Sequence, residues 1–149
     1  MRVVLDTNIL VRAVSSPHGP AGELFDRLLV GHLLISSAQL LSELARTLAY
    51  QRVRTLHGLD DEGVNRFVDK VQSGSLVVSI PEPIPRVVPA DLDDDVVIAA
   101  AIAGAADVIC TRNKHLRHSD VIAYCAARSV RVLDDIELLG KLRSQGGAS

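Results

Sequence analysis

Three observations predict an α/β protein with one central parallel β-sheet of about five strands, flanked by helices on both faces. Short apolar runs alternate along the chain with stretches of helical periodicity, the pattern of right-handed strand–helix–strand crossovers. The 149 residues carry 48% hydrophobic side chains, enough for one substantial core. No internal repeat or composition shift marks a second unit, so the domain is expected over residues 1–143, with 144–149 a disordered tail.

The first strand is Val3-Val4-Leu5, apolar and mostly β-branched, stopped at Asp6-Thr7-Asn8. Ligand crevices of open α/β sheets lie beyond the carboxyl ends of the strands, which puts Asp6 on the crevice floor with Thr7 and Asn8 opening the next helix. Ile9 to Val14 is helical in pattern, and Ser15 to Pro20 is a turn-rich break. A second helix starts near Pro20, repeats Leu24, Leu28 and Phe25, Leu29 at helical spacing, and closes at Gly31 before the strand Leu33-Leu34-Ile35. Ser36 or Ser37 caps a helix to about Tyr50 with Leu40, Leu41, Leu44 and Leu48 on its apolar face and Glu43 just off it. Asp60 starts a further helix that ends at Ser73-Gly74, and Leu76 to Ile80 reads as the third strand.

Pro81, Pro83, Pro85 and Pro89 impose an extended connector. Asp91, Asp93, Asp94 and Asp95 then open a small apolar helix, Val96 to Ala103, stopped at Gly104. Asp107 to Cys110 is the fourth strand, leading into Thr111-Arg112-Asn113-Lys114-His115-Leu116. A helix from about Ser119 to Arg128, a fifth strand Val130 to Leu133 and a last helix Asp134 to Leu142 complete the pattern.

Composition narrows the function classes. Aromatic residues make up 3%, with no Trp, which excludes base stacking as the main mode of nucleic-acid binding. A net charge of −2 announces neither a polyanion partner nor a membrane surface, so any nucleic-acid contact must come from local patches. Cys110 and Cys125 show no metal-binding or CxxC spacing, and no apolar run reaches membrane-span length; a reducing cytoplasm is the expected setting. His115 and His118 read as surface residues.

The candidate chemistry is carboxylate chemistry. Asp6 ends a strand, Glu43 sits on a helix, and Asp93 to Asp95 crowd a helix start. One acid suffices to cap a helix and complement its dipole; four in five positions repel one another and favour a bound hard cation. Taken singly, Asp6 is as readily a turn former and Glu43 a solvated surface acid. A divalent ion held by oxygen ligands activates water and stabilises charge on a phosphate oxygen, which suffices for phosphodiester hydrolysis without a Ser or Cys nucleophile. Arg46, Arg52 and Arg54, or Arg112, Lys114 and Arg117, could grip phosphates, and an ordinary solvated face explains each set equally well.

Together, Leu5-Asp6-Thr7-Asn8, the helix carrying Glu43, Asp93-Asp94-Asp95-Val96-Val97-Ile98-Ala99-Ala100 and Thr111-Arg112-Asn113-Lys114-His115-Leu116 resemble the PIN-domain family over nearly the whole chain, from Arg2 to about Leu142. The branch it is most similar to is that of prokaryotic VapC-like toxin components of toxin–antitoxin pairs. The resemblance implies a Mg²⁺- or Mn²⁺-dependent ribonuclease with an RNA substrate, often a homodimer and often held inactive by an antitoxin. It implies metal ligation by Asp6, Glu43 and Asp95, with Asp94 orienting water and Thr7, Asn8 and Thr111 in support. The family's fourth acid falls on Asn113, whose amide oxygen could still ligate a cation but adds no negative charge, which weakens the case for a second metal.

Two other expectations compete. A PIN-like module could bind RNA or an antitoxin and turn over poorly because of Asn113. A phosphatase or phospho-receiver also places an Asp after its first strand, but the phosphatase form wants a second Asp where Asn8 stands, and no G-x-G-x-x-G follows the strand to suggest a Rossmann unit.

Overall fold

The computed structural model describes residues 1–89 and 91–146. Its strands are β1 (Arg2–Leu5), β2 (Leu33–Ser36), β3 (Ser75–Val77), β4 (Val108–Cys110) and β5 (Arg131–Leu133). All pair in parallel, in the order β3-β2-β1-β4-β5. Chain order runs one way from β1 through β2 and the other way through β4, so the topological switch point lies between β1 and β4. Register there is direct: Leu5 stands opposite Cys110, and the Asp6 amide donates to the Cys110 carbonyl at 3.0 Å.

The pleat sorts side chains into two cores. Val3, Leu5, Leu34, Val108, Cys110 and Leu133 face one side of the sheet, and Val4, Ile35 and Ile109 face the other. The first side is covered by α1 (Thr7–Ser15), α2 (Pro20–Gly31), α3 (Ala38–Ala49), α4 (Gln51–His57), α5 (Asp61–Ser73) and α8 (Asp135–Gly146). The second is covered by α6 (Leu92–Ala103) and α7 (Ser119–Ala126). The expected strand–helix alternation and two-faced sheet are what the chain adopts. Among the described residues no helix is long and apolar enough to cross a membrane.

Local chemistry accounts for most boundaries. Ser37 caps α3, its hydroxyl accepting from the Leu40 amide at 3.1 Å, and Asp60 caps α5 through the Gly63 amide at 2.7 Å. The basic stretch after Tyr50 is a helix that apolar periodicity did not announce: Tyr50 breaks out in extended conformation, α4 follows, and Gly58 at φ 66° ends it. The third strand is shorter than expected. It ends at Val77 because it is a sheet edge with Leu76 and Val77 half exposed, although the Val78 amide still reaches the Ser36 carbonyl at 2.8 Å. The last helix runs on through 144–146, where a tail was expected, and 147–149 lie outside the described residues.

Candidate active site

Asp6 is organised by the backbone break that follows β1. Its extended conformation makes it the N-cap of α1, with Oδ1 accepting from the Thr7 amide at 2.8 Å. Its Oδ2 accepts from the Thr111 hydroxyl at 2.8 Å and from Asn8 Nδ2 at 3.0 Å. The adjacent strand β4 thus delivers Thr111 to Asp6 by register alone. Asn8 Oδ1 in turn accepts from the Arg112 amide at 3.1 Å, lacing the loop after β4 to the start of α1. Burial pushes the Asp6 pKa up, against the pull of these donors.

Asp6, Glu43, Asp91, Asp94, Asn113 and Arg12 line one cavity of about 360 Å³ at the switch point. Burial, and then the neighbouring charges of Asp6 and Asp93, push Glu43 up to about 7, with Thr7 and Arg46 partly offsetting. Asp94 is pushed up to about 6 by burial and by Asp91, Asp6, Asp93 and Asp95. A second cavity of about 500 Å³ shares Glu43 and is bounded by Arg46 and Asp93.

Asp94 and Asp95 separate sharply. Asp94 Oδ1 accepts from Asn113 Nδ2 at 2.9 Å, whereas its Oδ2 is buried with no hydrogen-bond partner among the described residues. Asp95, expected as the third metal-ligating acid, is not in the cavity. Its Oδ2 accepts from Arg86 Nε at 2.6 Å, and its Oδ1 accepts from the Val87 and Val88 amides, each at 2.8 Å. The reason is helical phase: Asp91 and Asp94 are three residues apart and share a face, and Asp95 is turned about 100° further, toward the connector. Asp95 is the clasp of that connector.

Asn113 also departs from expectation. Its Oδ1 accepts from the His115 amide at 2.9 Å, which fixes the amide orientation and turns Nδ2, a donor, toward Asp94. Its oxygen does not face the acids. Thr111 Oγ1 receives the Asn113 amide at 2.9 Å, so one hydroxyl joins both ends of the site.

The basic residues divide as well. Arg46 borders the second cavity, and Arg52 and Lys114 are exposed. Arg54 is engaged by Asp61 and the Ala49 carbonyl, and Arg112 by Asp135. Arg12 was missed by sequence reasoning, yet it stands four residues after Asn8, one helical turn along the same face, a signal available in the pattern. Asp91 both caps α6, accepting from the Asp93 amide at 2.9 Å, and lines the cavity.

A model of the PIN domain matches residues 2–115. The chain belongs to the PIN-domain family. Nucleases that use divalent metal ions are typical of this family. The fold of this PIN domain is similar to a chain in the crystal structure of VapBC2 from Rickettsia felis bound to a DNA fragment from their promoter. That likeness covers 90% of this chain and 98% of the other, at TM-score 0.60 and 15% identity, and at that identity it speaks for the fold alone. No curated protein matches the chain.

The donor set suits a hard divalent cation in kind. Among the described residues it offers carboxylate oxygens, one of them buried without a partner, and no sulfur or imidazole. Among the described residues no three His, Cys, Asp or Glu side chains close on a single point.

Proposed function

We propose that this PIN domain is a Mg²⁺- or Mn²⁺-dependent endoribonuclease that hydrolyses RNA phosphodiester bonds, acting in the cytoplasm as the toxin of a toxin–antitoxin pair. The observation that carries the reading is that Asp6, Glu43 and Asp94 line one cavity at the sheet's switch point, with Asp94 Oδ2 buried and unpartnered among the described residues. Asp6, Glu43 and Asp94, with Asp91 beside them, are the residues that would hold the ion. When bound, it supplies water activation and stabilises charge on a phosphate oxygen.

The remaining residues have definable tasks. Thr111, Asn8 and the Thr7 amide hold Asp6 in one orientation. Asn113 orients Asp94 by donating to it, in place of the ligand role first assigned to its oxygen. In this reading Arg46, which borders the second cavity, and Lys114, exposed and next to Asn113 in the chain, attract phosphates. An antitoxin partner is supported by the sequence's likeness to VapC-like toxins and the fold's likeness to VapBC2; a homodimer belongs to the same reading.

Incubation of the purified protein with structured and unstructured RNA and Mn²⁺ tests this directly. Cleavage is expected with Mn²⁺ or Mg²⁺ and is expected to vanish in EDTA and in Asp6→Asn. Cleavage that persists unchanged in Asp6→Asn would remove Asp6 from the mechanism. Asn113 favours a second reading, a module that binds RNA or an antitoxin with little turnover, because its amide adds a donor where an acid would add charge. Under that reading Asn113→Asp raises Mn²⁺-dependent cleavage sharply from a negligible base; under the first it changes an existing activity modestly.

A further inference from the structure

We propose that Asp135 is a positioning residue that aims Arg12 and Arg112 across the rim of the acidic cavity, where their guanidinium ends grip phosphate groups of the substrate; this rests on the nuclease reading above. Asp135 opens α8 and is fully buried. Its place is set by a reciprocal cap in the preceding turn: Asp134 Oδ1 accepts from the Glu137 amide at 2.7 Å, and Glu137 Oε1 accepts from the Asp134 amide at 2.9 Å.

From there the carboxylate divides between two arginines. Oδ1 accepts from Arg112 Nε at 2.7 Å and Oδ2 from Arg12 Nε at 3.4 Å. Both contacts use Nε. The terminal nitrogens of both guanidiniums are without hydrogen-bond partners among the described residues, and the side chains are 46% and 39% exposed. An arginine tethered through Nε keeps its terminal fork available for bidentate contact with phosphate.

The location gives the pair its purpose. Arg12 lines the cavity beside Asp6 and Asp94, and Arg112 immediately precedes Asn113, which also lines it. A phosphodiester approaching several carboxylates is repelled unless positive charge stands at the entrance, and two guanidiniums on one carboxylate leave a local excess of one positive charge. Arg112 alone, at 2.7 Å, would satisfy Asp135; Arg12, half exposed and held more loosely at 3.4 Å, is surplus to a structural role.

The test separates binding from cleavage. Affinity for a short single-stranded RNA is measured against salt concentration in the Asp6→Asn background, with Asp135→Asn, Arg12→Lys and Arg112→Lys each added. Asp135→Asn deletes one negative charge, which by itself favours an anion, but the lost tether is expected to outweigh this, weakening binding about tenfold and reducing the salt slope by about one; tighter binding overturns the proposal. The lysine variants keep the charge but lose the Nε tether and weaken binding comparably, and combining Arg12→Lys with Asp135→Asn adds little further loss. With Asp6 intact, Asp135→Asn raises KM for RNA with little change in kcat.

Unchanged affinity and salt slope in these variants overturn the proposal, as does a fully additive double variant. So does a loss of binding to a poly-glutamate peptide with RNA binding intact, which would assign the pair to an acidic protein partner. If Asp135→Asn fails to fold, the two lysine variants, altered at partly exposed side chains, decide. If the unaltered protein cleaves no RNA while the variants still lose RNA affinity, the nuclease reading fails and the arginine pair stands.

Discussion

Two adjacent acids at the start of α6 have opposite environments. Asp95 is buried and satisfied: a guanidinium and two backbone amides occupy its oxygens, and it ties the proline-rich connector to the helix. Asp94 is buried and unsatisfied, with one oxygen held by Asn113 and the other without a partner among the described residues. A buried carboxylate with a full set of donors stabilises structure, whereas one short of donors stores a demand for a ligand. Proximity in sequence is a poor guide to which is which.

The sharpest way to break this contrast is to remove each acid. Asp95→Ala leaves the buried Val88 amide and the half-buried Val87 amide without their acceptor and is expected to cost roughly 1–3 kcal/mol of stability in urea denaturation. Asp94→Ala is expected to leave stability nearly unchanged or improved without divalent ions, while abolishing the stabilisation that Mn²⁺ gives in thermal melts. Equal destabilisation by both changes would erase the distinction.

A smaller effect sharpens the cavity side. Thr111→Val deletes the hydroxyl that holds Asp6 Oδ2 and is expected to lower Mn²⁺ affinity about 10- to 100-fold by calorimetry, with the fold retained. The pH dependence should be visible in the same melts. Because the folded-state pKa of Glu43 is raised from 4.5 to about 7, its folded form holds the proton more tightly than the unfolded chain does. Its contribution is therefore full below about 4.5 and is lost as pH rises through about 7. In EDTA the melting temperature should fall across that window, Glu43→Gln should flatten the fall, and Mn²⁺ should oppose it. At the small end, Arg54→Ala removes an exposed pair with Asp61 and is expected to cost about 0–1 kcal/mol in the same denaturation series, with cation binding unchanged.

Much of the fold was legible because burial leaves a periodic trace. The runs at Val3, Leu33 and Val108 are central strands, and their apolar continuity reflects cover on both faces. Less regular surfaces left weaker traces: α4 has one buried residue, Val53, and β3 lies at an edge. At the site, Asp6, Glu43 and Asp94 were marked by residue type and position and Asn113 by the family resemblance, and the four do share a cavity. Asp95 was what the family resemblance implied, by its place before Val96-Val97-Ile98-Ala99, and a match counted along the chain ignores rotation about the helix.

Strand order along the chain, the turn from apolar to acidic after β1 and the stock of carboxylates are written in the residues, because hydrophobic burial and backbone breaks act on near neighbours. Which acids meet, which one clasps the connector, and how Asp135 gathers arginines from 123 and 23 positions away are properties of the folded chain. Those outcomes depend on helix phase and on donors arriving from distant segments, and the balance between desolvation and hydrogen bonding that settles a buried charge exists only after the segments have packed.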